Sequence, residues 1–167
     1  MADPRPHSVT EVIVARGKPE AFSRVKIDAL LKEAGWDLTD GLSVYYEYTL
    51  PTGARADYVL CDRRGHPMAV LEAKKTSTNP PSAQNQGKLY AKQLDVPFVF
   101  LSNGEEVWFF DREIDSHSRK VATVFSQADL ERRIATRSHR RRLETVPIDT
   151  GIAGRDYQIK CIETLCQ

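Results

Sequence analysis

Two carboxylates and a lysine sit where buried strands should end. The run Ala56-Asp57-Tyr58-Val59-Leu60-Cys61 is apolar apart from Asp57, and His66-Pro67-Met68-Ala69-Val70-Leu71-Glu72-Ala73-Lys74 stays apolar until Glu72. Runs of this kind read as strands covered on both faces. Closing them with unpaired charge is costly, so the charge needs a partner. Two carboxylates in a low-dielectric site repel unless a cation lies between them. Mg2+ takes near-octahedral oxygen ligation from one or two carboxylates, water and substrate phosphate. Asp57, Glu72 and the backbone carbonyl of Ala73 supply three such oxygens. A cation held there lowers the pKa of a bound water and neutralises charge on a phosphoryl group. Lys74, on the Glu72 face of its strand, orients that water or offsets charge in the transition state. The chemistry this set suits is phosphodiester hydrolysis. The plain alternative is a strand-end Glu–Lys pair and a surface Asp, worth about 0–1 kcal/mol as an exposed ion pair.

Strand alternation predicts Val70, Glu72 and Lys74 on one face, with Leu71 and Ala73 on the other. Asp62-Arg63-Arg64-Gly65 suits a type I turn. A hairpin folded tightly about it places Asp57 opposite Val70 and diagonal to Glu72, within reach of its carboxylate. Other elements must frame this hairpin. Pro19 to Ala34 reads as an amphipathic helix opened by Pro19, striped by Phe22, Val25, Ile27, Leu30 and Leu31, and ended by Gly35. Leu42 to Leu50 reads as a strand. A loop from Thr76, able to move over the site, precedes a helix from about Pro81 to Leu94. On that helix Gln86 and Tyr90, four apart, share a face. Val96 to Ser102 is a further buried strand beside that of Glu72, and Asn103-Gly104 signals a hairpin turn into Glu106 to Asp111. A short strand is expected over Thr10 to Val14. Ser126 and Asp129 resemble a capping box for a basic helix reaching about Glu144. The fold class is α/β, a central mixed sheet flanked by helices.

Taken in order, Glu20, Asp57, Glu72-Ala73-Lys74 and Gln86-Gly87-Lys88-Leu89-Tyr90 resemble the PD-(D/E)xK nucleases with an added QxxxY motif. More narrowly, the chain resembles the N-terminal endonuclease domain of the R (HsdR) subunit of type I restriction–modification enzymes. Gly35-Trp36, Gly53-Ala54-Arg55-Ala56-Asp57-Tyr58, Phe98-Val99-Phe100-Leu101-Ser102-Asn103-Gly104 and Trp108-Phe109-Phe110-Asp111 extend the likeness. The first motif reads Ala56-Asp57 rather than Pro-Asp, but only the Asp has a chemical role. The resemblance implies a restriction-endonuclease-like core with Asp57 and Glu72 as metal ligands. It also implies that Lys74 is the catalytic lysine and that Gln86 and Tyr90 lie beside the active site in contact with DNA. Glu20 matches an acid that assists metal binding in some relatives; a helix N-terminus favours Glu in any case. The implied activity is Mg2+-dependent cleavage of double-stranded DNA, with Mn2+ as a substitute. The implied partners are the M and S subunits. Gly154 to Ile162, with Tyr157-Gln158, resembles the Q motif that opens superfamily 2 helicase domains. Residues 1–145 are therefore expected to be the nuclease domain, and 146–167 a linker and the start of an ATP-driven translocase. No Walker A loop is present, so ATP is expected to serve a motor outside this sequence.

Composition sets outer bounds. With 41% hydrophobic and 28% charged residues, the 167-residue chain suits a globular domain. Its longest apolar run falls well short of the roughly 20 residues that span a bilayer, so no membrane partner is expected. The N-terminus lacks the apolar region of a signal peptide. Cys61, Cys161 and Cys166 are odd in number and not spaced for zinc, and a reduced, cytoplasmic setting follows. A net charge of +1 decides nothing about nucleic acid. The acid-free run Arg132 to Arg142 holds six arginines, read either as a solvated helix face or as a phosphate-binding segment. Two other readings compete with the restriction subunit. One is a free-standing repair nuclease or junction resolvase on the same core; the other is a non-catalytic DNA-binding or assembly module retaining the fold.

Overall fold

The computed structural model describes residues 19–139, 148–149 and 151–165. The chain divides into two compact units, 1–127 and 128–167. In the first, six strands lie side by side in chain order: β1 (Val44–Thr49), β2 (Arg55–Cys61), β3 (Pro67–Ala73), β4 (Phe98–Ser102), β5 (Val107–Asp111) and β6 (Arg119–Val121). Only β3 and β4 run parallel; every other neighbouring pair is antiparallel. The sheet is mixed, as the apolar runs predict, and β6 is a short edge strand that the sequence pattern did not reveal.

The parallel pair is the centre of the core. All five residues of β4 are buried, as are Met68 to Ala73 of β3, because helices cover both faces. Helix α1 (Pro19–Glu33) lies on the face of Tyr58, whose hydroxyl donates to Asp28 at 3.1 Å. Phe100, Phe109 and Phe125 stack on one another with centroids 4.8–5.6 Å apart, within the range of tilted and edge-on aromatic pairs. Helix α2 (Gln84–Gln93) follows a 3-10 turn at Pro80–Ala83 and covers the other face. There Val59, Val70, Val99, Leu101, Ala91 and Phe110 pack together.

Two expectations change. The inward face of α1 is Ser23, Ile27 and Leu31, while Phe22 and Val25 are more than half exposed. The helix is turned so that Ser23 and Arg24 face the strand ends, where Ser23 Oγ meets Thr76 Oγ1 at 3.1 Å. The hairpin register also differs, with Tyr58 opposite Leu71 and Val59 opposite Val70. The loop is one residue longer than expected. Gly65 takes φ +82° and the Asp62 amide donates to the His66 carbonyl at 2.8 Å, a type I turn closed by a left-handed glycine. A bulge between Leu60 and Cys61 adds a second shift. Together they bring Asp57 level with Glu72 rather than diagonal to it.

The second unit holds the rest of α3 (Gln127–His139) and α4 (Asp156–Leu165). The expected strand at Thr10 to Val14 and Arg140, Arg141 and Arg142 lie outside the described residues. No helix among the described residues is long and apolar enough to cross a membrane.

Candidate active site at the ends of β2 and β3

Glu72 is 1% exposed, and neither carboxylate oxygen has a hydrogen-bond partner. Burial, reinforced by the nearby charge of Asp57, pushes its pKa up to about 8, although the charge of Lys74, the nearby Asp57 backbone amide and the charge of Arg24 pull the other way. A buried carboxyl with neither oxygen in a full hydrogen bond is rare in folded proteins and makes Glu72 a candidate ligand-binding group.

Asp57 is held quite differently. Its Oδ2 accepts the Ala73 amide at 2.9 Å, bridging the two strands beyond their last ladder pair. Its Oδ1 accepts from Arg24 Nη2 at 2.5 Å. The other arm of Arg24 reaches Glu47 Oε1 at 2.8 Å. Arg24 sits above its ordinary pKa: burial works against its charge, but the Glu47 hydrogen bond and the charges of Asp57 and Glu47 outweigh it.

A break in the pleat makes this possible. Tyr45 pairs with Val59 and Tyr48 with Ala56, yet both tyrosines pack against the same cluster, three residues apart. The skipped residue is Glu47, at φ +46°. A non-glycine residue holds that backbone only when its surroundings enforce it. Its carboxylate meets two arginines, Arg24 Nη1 at 2.8 Å and Arg55 Nη1 at 3.3 Å.

On the α2 side, Lys74 Nζ donates to Gln86 Oε1 at 3.1 Å, and Gln86 Nε2 donates to Tyr90 Oη at 3.2 Å. The four-residue spacing of Gln86 and Tyr90 thus forms one relay ending on the lysine. Gly87 lets α2 come this close. A Cβ there would stand 2.6 Å from Val99 Cγ1 and 3.8 Å from Glu72 Cγ. The segment after β3, expected to be mobile, is fastened at its start. Asn103 Nδ2 donates to the carbonyls of Thr76 and Thr78 at 3.2 and 3.1 Å, and the Lys74 amide donates to the Ser102 carbonyl at 2.8 Å.

The structure therefore brings Asp57, Glu72, Ala73, Lys74, Gln86 and Tyr90 to one end of the sheet. Glu20 is in the first turn of α1, and its side chain lies outside the described residues. Sequence reasoning missed Arg24 and Glu47. An Arg on an amphipathic helix and a Glu in a strand carry no signal until the fold pairs them. Among the described residues no three His, Cys, Asp or Glu side chains converge on one point. A cation would thus draw on two carboxylates, a backbone carbonyl and non-protein oxygens. That donor set suits Mg2+, which keeps several waters, better than a soft metal.

Residues 24–124 match the family described as type I restriction enzyme R protein N terminus (HSDR_N). The chain is 46% identical over 56 residues to the type I restriction enzyme EcoAI endonuclease subunit of Escherichia coli. That match covers 34% of this chain and 7% of the relative. A fragment structure assigned to an HsdR subunit of a type I restriction enzyme from Vibrio vulnificus YJ016 superposes with a TM-score of 0.64 at 26% identity. It covers 75% of this chain and 27% of the other, and the α/β restriction-endonuclease-like core is common to both. The chain thus spans under a third of the length of either relative.

Proposed function

The chain belongs to the family of type I restriction enzyme R protein N termini, and on that premise we propose that it is the Mg2+-dependent endonuclease domain of such a subunit, hydrolysing phosphodiester bonds of double-stranded DNA. The observation that carries this reading is the pair of buried, unpartnered Glu72 oxygens beside Asp57. Ionised together, these carboxylates need a cation. Asp57, Glu72 and the Ala73 carbonyl would hold Mg2+, or Mn2+ in its place. Bound there, the ion would offset phosphate charge and acidify a water ligand.

The chain's own groups do the rest. Lys74 presents an ammonium at the strand end, steadied by Gln86, where it donates to the attacking water or to a phosphate oxygen. Gln86 fixes the lysine's direction and Tyr90 fixes Gln86, so the two act as positioning residues that also meet the DNA backbone. The buried faces of β3 and β4 keep this end of the sheet rigid, which limits the reorganisation needed for reaction.

In this reading residues 1–145 form the nuclease domain and 146–167 lead into an ATP-driven translocase. The M and S subunits are the partners, the setting is the cytoplasm, and ATP serves the motor alone. The test is Mg2+-dependent cleavage by the assembled complex carrying Asp57→Ala, Glu72→Ala or Lys74→Ala, with ATP hydrolysis as the check on assembly. Each variant is expected to lose at least about 100-fold in cleavage while keeping ATPase activity. Undiminished cleavage in all three ends the reading.

A further inference from the structure

A guanidinium occupies the oxygen that a metal would need. Asp57 has two carboxylate oxygens, and Oδ2 is committed to the Ala73 amide at 2.9 Å. Oδ1 is therefore the oxygen best placed to ligate, and Arg24 Nη2 donates into it at 2.5 Å. Glu72 meanwhile has both oxygens unclaimed. Among the described residues, the charged side chain hydrogen-bonded to Asp57 is Arg24, which a cation would have to move or share with. Arg24 has somewhere to go: its other arm is already on Glu47, and its side chain is about a third exposed. Glu47 is held at φ +46° opposite Asp57, and that break in the strand is what aims its carboxylate at Arg24.

We propose that Arg24 is a positioning residue that stands in for the divalent cation at Asp57 and is displaced onto Glu47 when the cation binds. The proposal rests on the metal-centred reading of Asp57 and Glu72 above. Before metal arrives, Arg24 keeps Asp57 neutralised and in place. Afterwards Glu47 retains the guanidinium at the rim of the site instead of releasing it to solvent. Arg suits this role because its planar fork engages two carboxylates at once, which a lysine's point charge does not.

Mn2+ titration by calorimetry tests the exchange on the chain itself, without cleavage as a readout. Arg24→Gln removes the competitor and is expected to tighten Mn2+ binding by about fivefold or more, the ratio expected when a partly exposed ion pair no longer has to be broken. Arg24→Lys, which keeps the charge and the stem, should fall between this variant and the wild type. Arg55→Gln is the control for diffuse charge, since Arg55 touches Glu47 at 3.3 Å but not Asp57; its affinity should stay within about twofold of wild type. Equal tightening in Arg55→Gln and Arg24→Gln would overturn the exchange in favour of general electrostatics. Unchanged or weaker binding in Arg24→Gln would also overturn it, provided Asp57→Asn still abolishes binding. Absence of Mn2+ binding in every protein, wild type included, would sink the metal-centred reading and the exchange with it.

Discussion

Asp57 and Glu72 end neighbouring strands at the same level, yet the fold treats them in opposite ways. Every oxygen of Asp57 has a donor, one from the Ala73 backbone and one from Arg24 on α1. Glu72 lies under α2 with neither oxygen partnered, and its pKa is pushed up to about 8. The α1 side of the site is a charged clamp in which Arg24 joins Asp57 to Glu47. The α2 side is a close-packed wall where Lys74, Gln86 and Tyr90 join in a chain of hydrogen bonds. On the proposed metal-centred reading, the difference separates two tasks. One carboxylate is kept in place while its charge is neutralised; the other stays reserved at a cost in stability, so that a ligand gains from binding it.

That contrast can be broken first through pH. Glu72 has a folded pKa near 8 against an ordinary value of 4.5, so between these values the folded state binds more protons than the unfolded. Stability of the metal-free chain should therefore fall as pH rises through that window, by up to about 5 kcal/mol. Urea midpoints at pH 5 and pH 9 measure it. Glu72→Gln should flatten the slope, and Mn2+ should restore stability at pH 9 in the wild type only. A wild-type slope no steeper than that of Glu72→Gln would show that Glu72 is not the strained partner.

Next in size is the wall itself. Gly87→Ala places a methyl 2.6 Å from Val99 Cγ1, so α2 must lift away from β4. The expected cost is about 1–3 kcal/mol, read as a lower urea midpoint. Because α2 also carries Gln86 and Tyr90, cleavage should fall further than stability alone explains. A midpoint equal to wild type would mean that the helix is loosely seated and that Glu72 is not sealed by it.

The smallest effect sharpens the comparison. Gln86→Ala frees Lys74 but removes only half-buried hydrogen bonds, so stability should change by about 1 kcal/mol or less. Cleavage should drop by about tenfold through loss of lysine positioning. Equal, slight losses in both measurements would reduce the relay to ordinary surface bonding.

Much of this site was legible before any fold was seen. Asp57, Glu72 and Lys74 stand out because charge interrupts apolar runs, whereas Gln86 and Tyr90 stand out only through the family resemblance, since a four-residue spacing by itself suits any exposed helix face. The buried strands were legible from the same runs: continuous apolar residues can only be covered on both sides. The hairpin register was less so. It depended on Gly65 taking a left-handed φ and on the bulge at Leu60/Cys61, each of which shifts every later pairing without altering the hydrophobic pattern. The rotation of α1 was misread because Phe22 and Val25 are apolar, whereas packing at the strand ends selected Ser23 and Arg24.

The sequence by itself determined which residue types could bind a cation and which segments had to be buried, because both are properties of local composition and period. Only the tertiary structure decided that Asp57 would be claimed by Arg24 while Glu72 stayed unclaimed. That outcome turns on a helix and a strand 33 and 10 residues away meeting one carboxylate, by way of a single backbone break at Glu47. Pairings across such distances follow from how faces pack, and no local pattern encodes them.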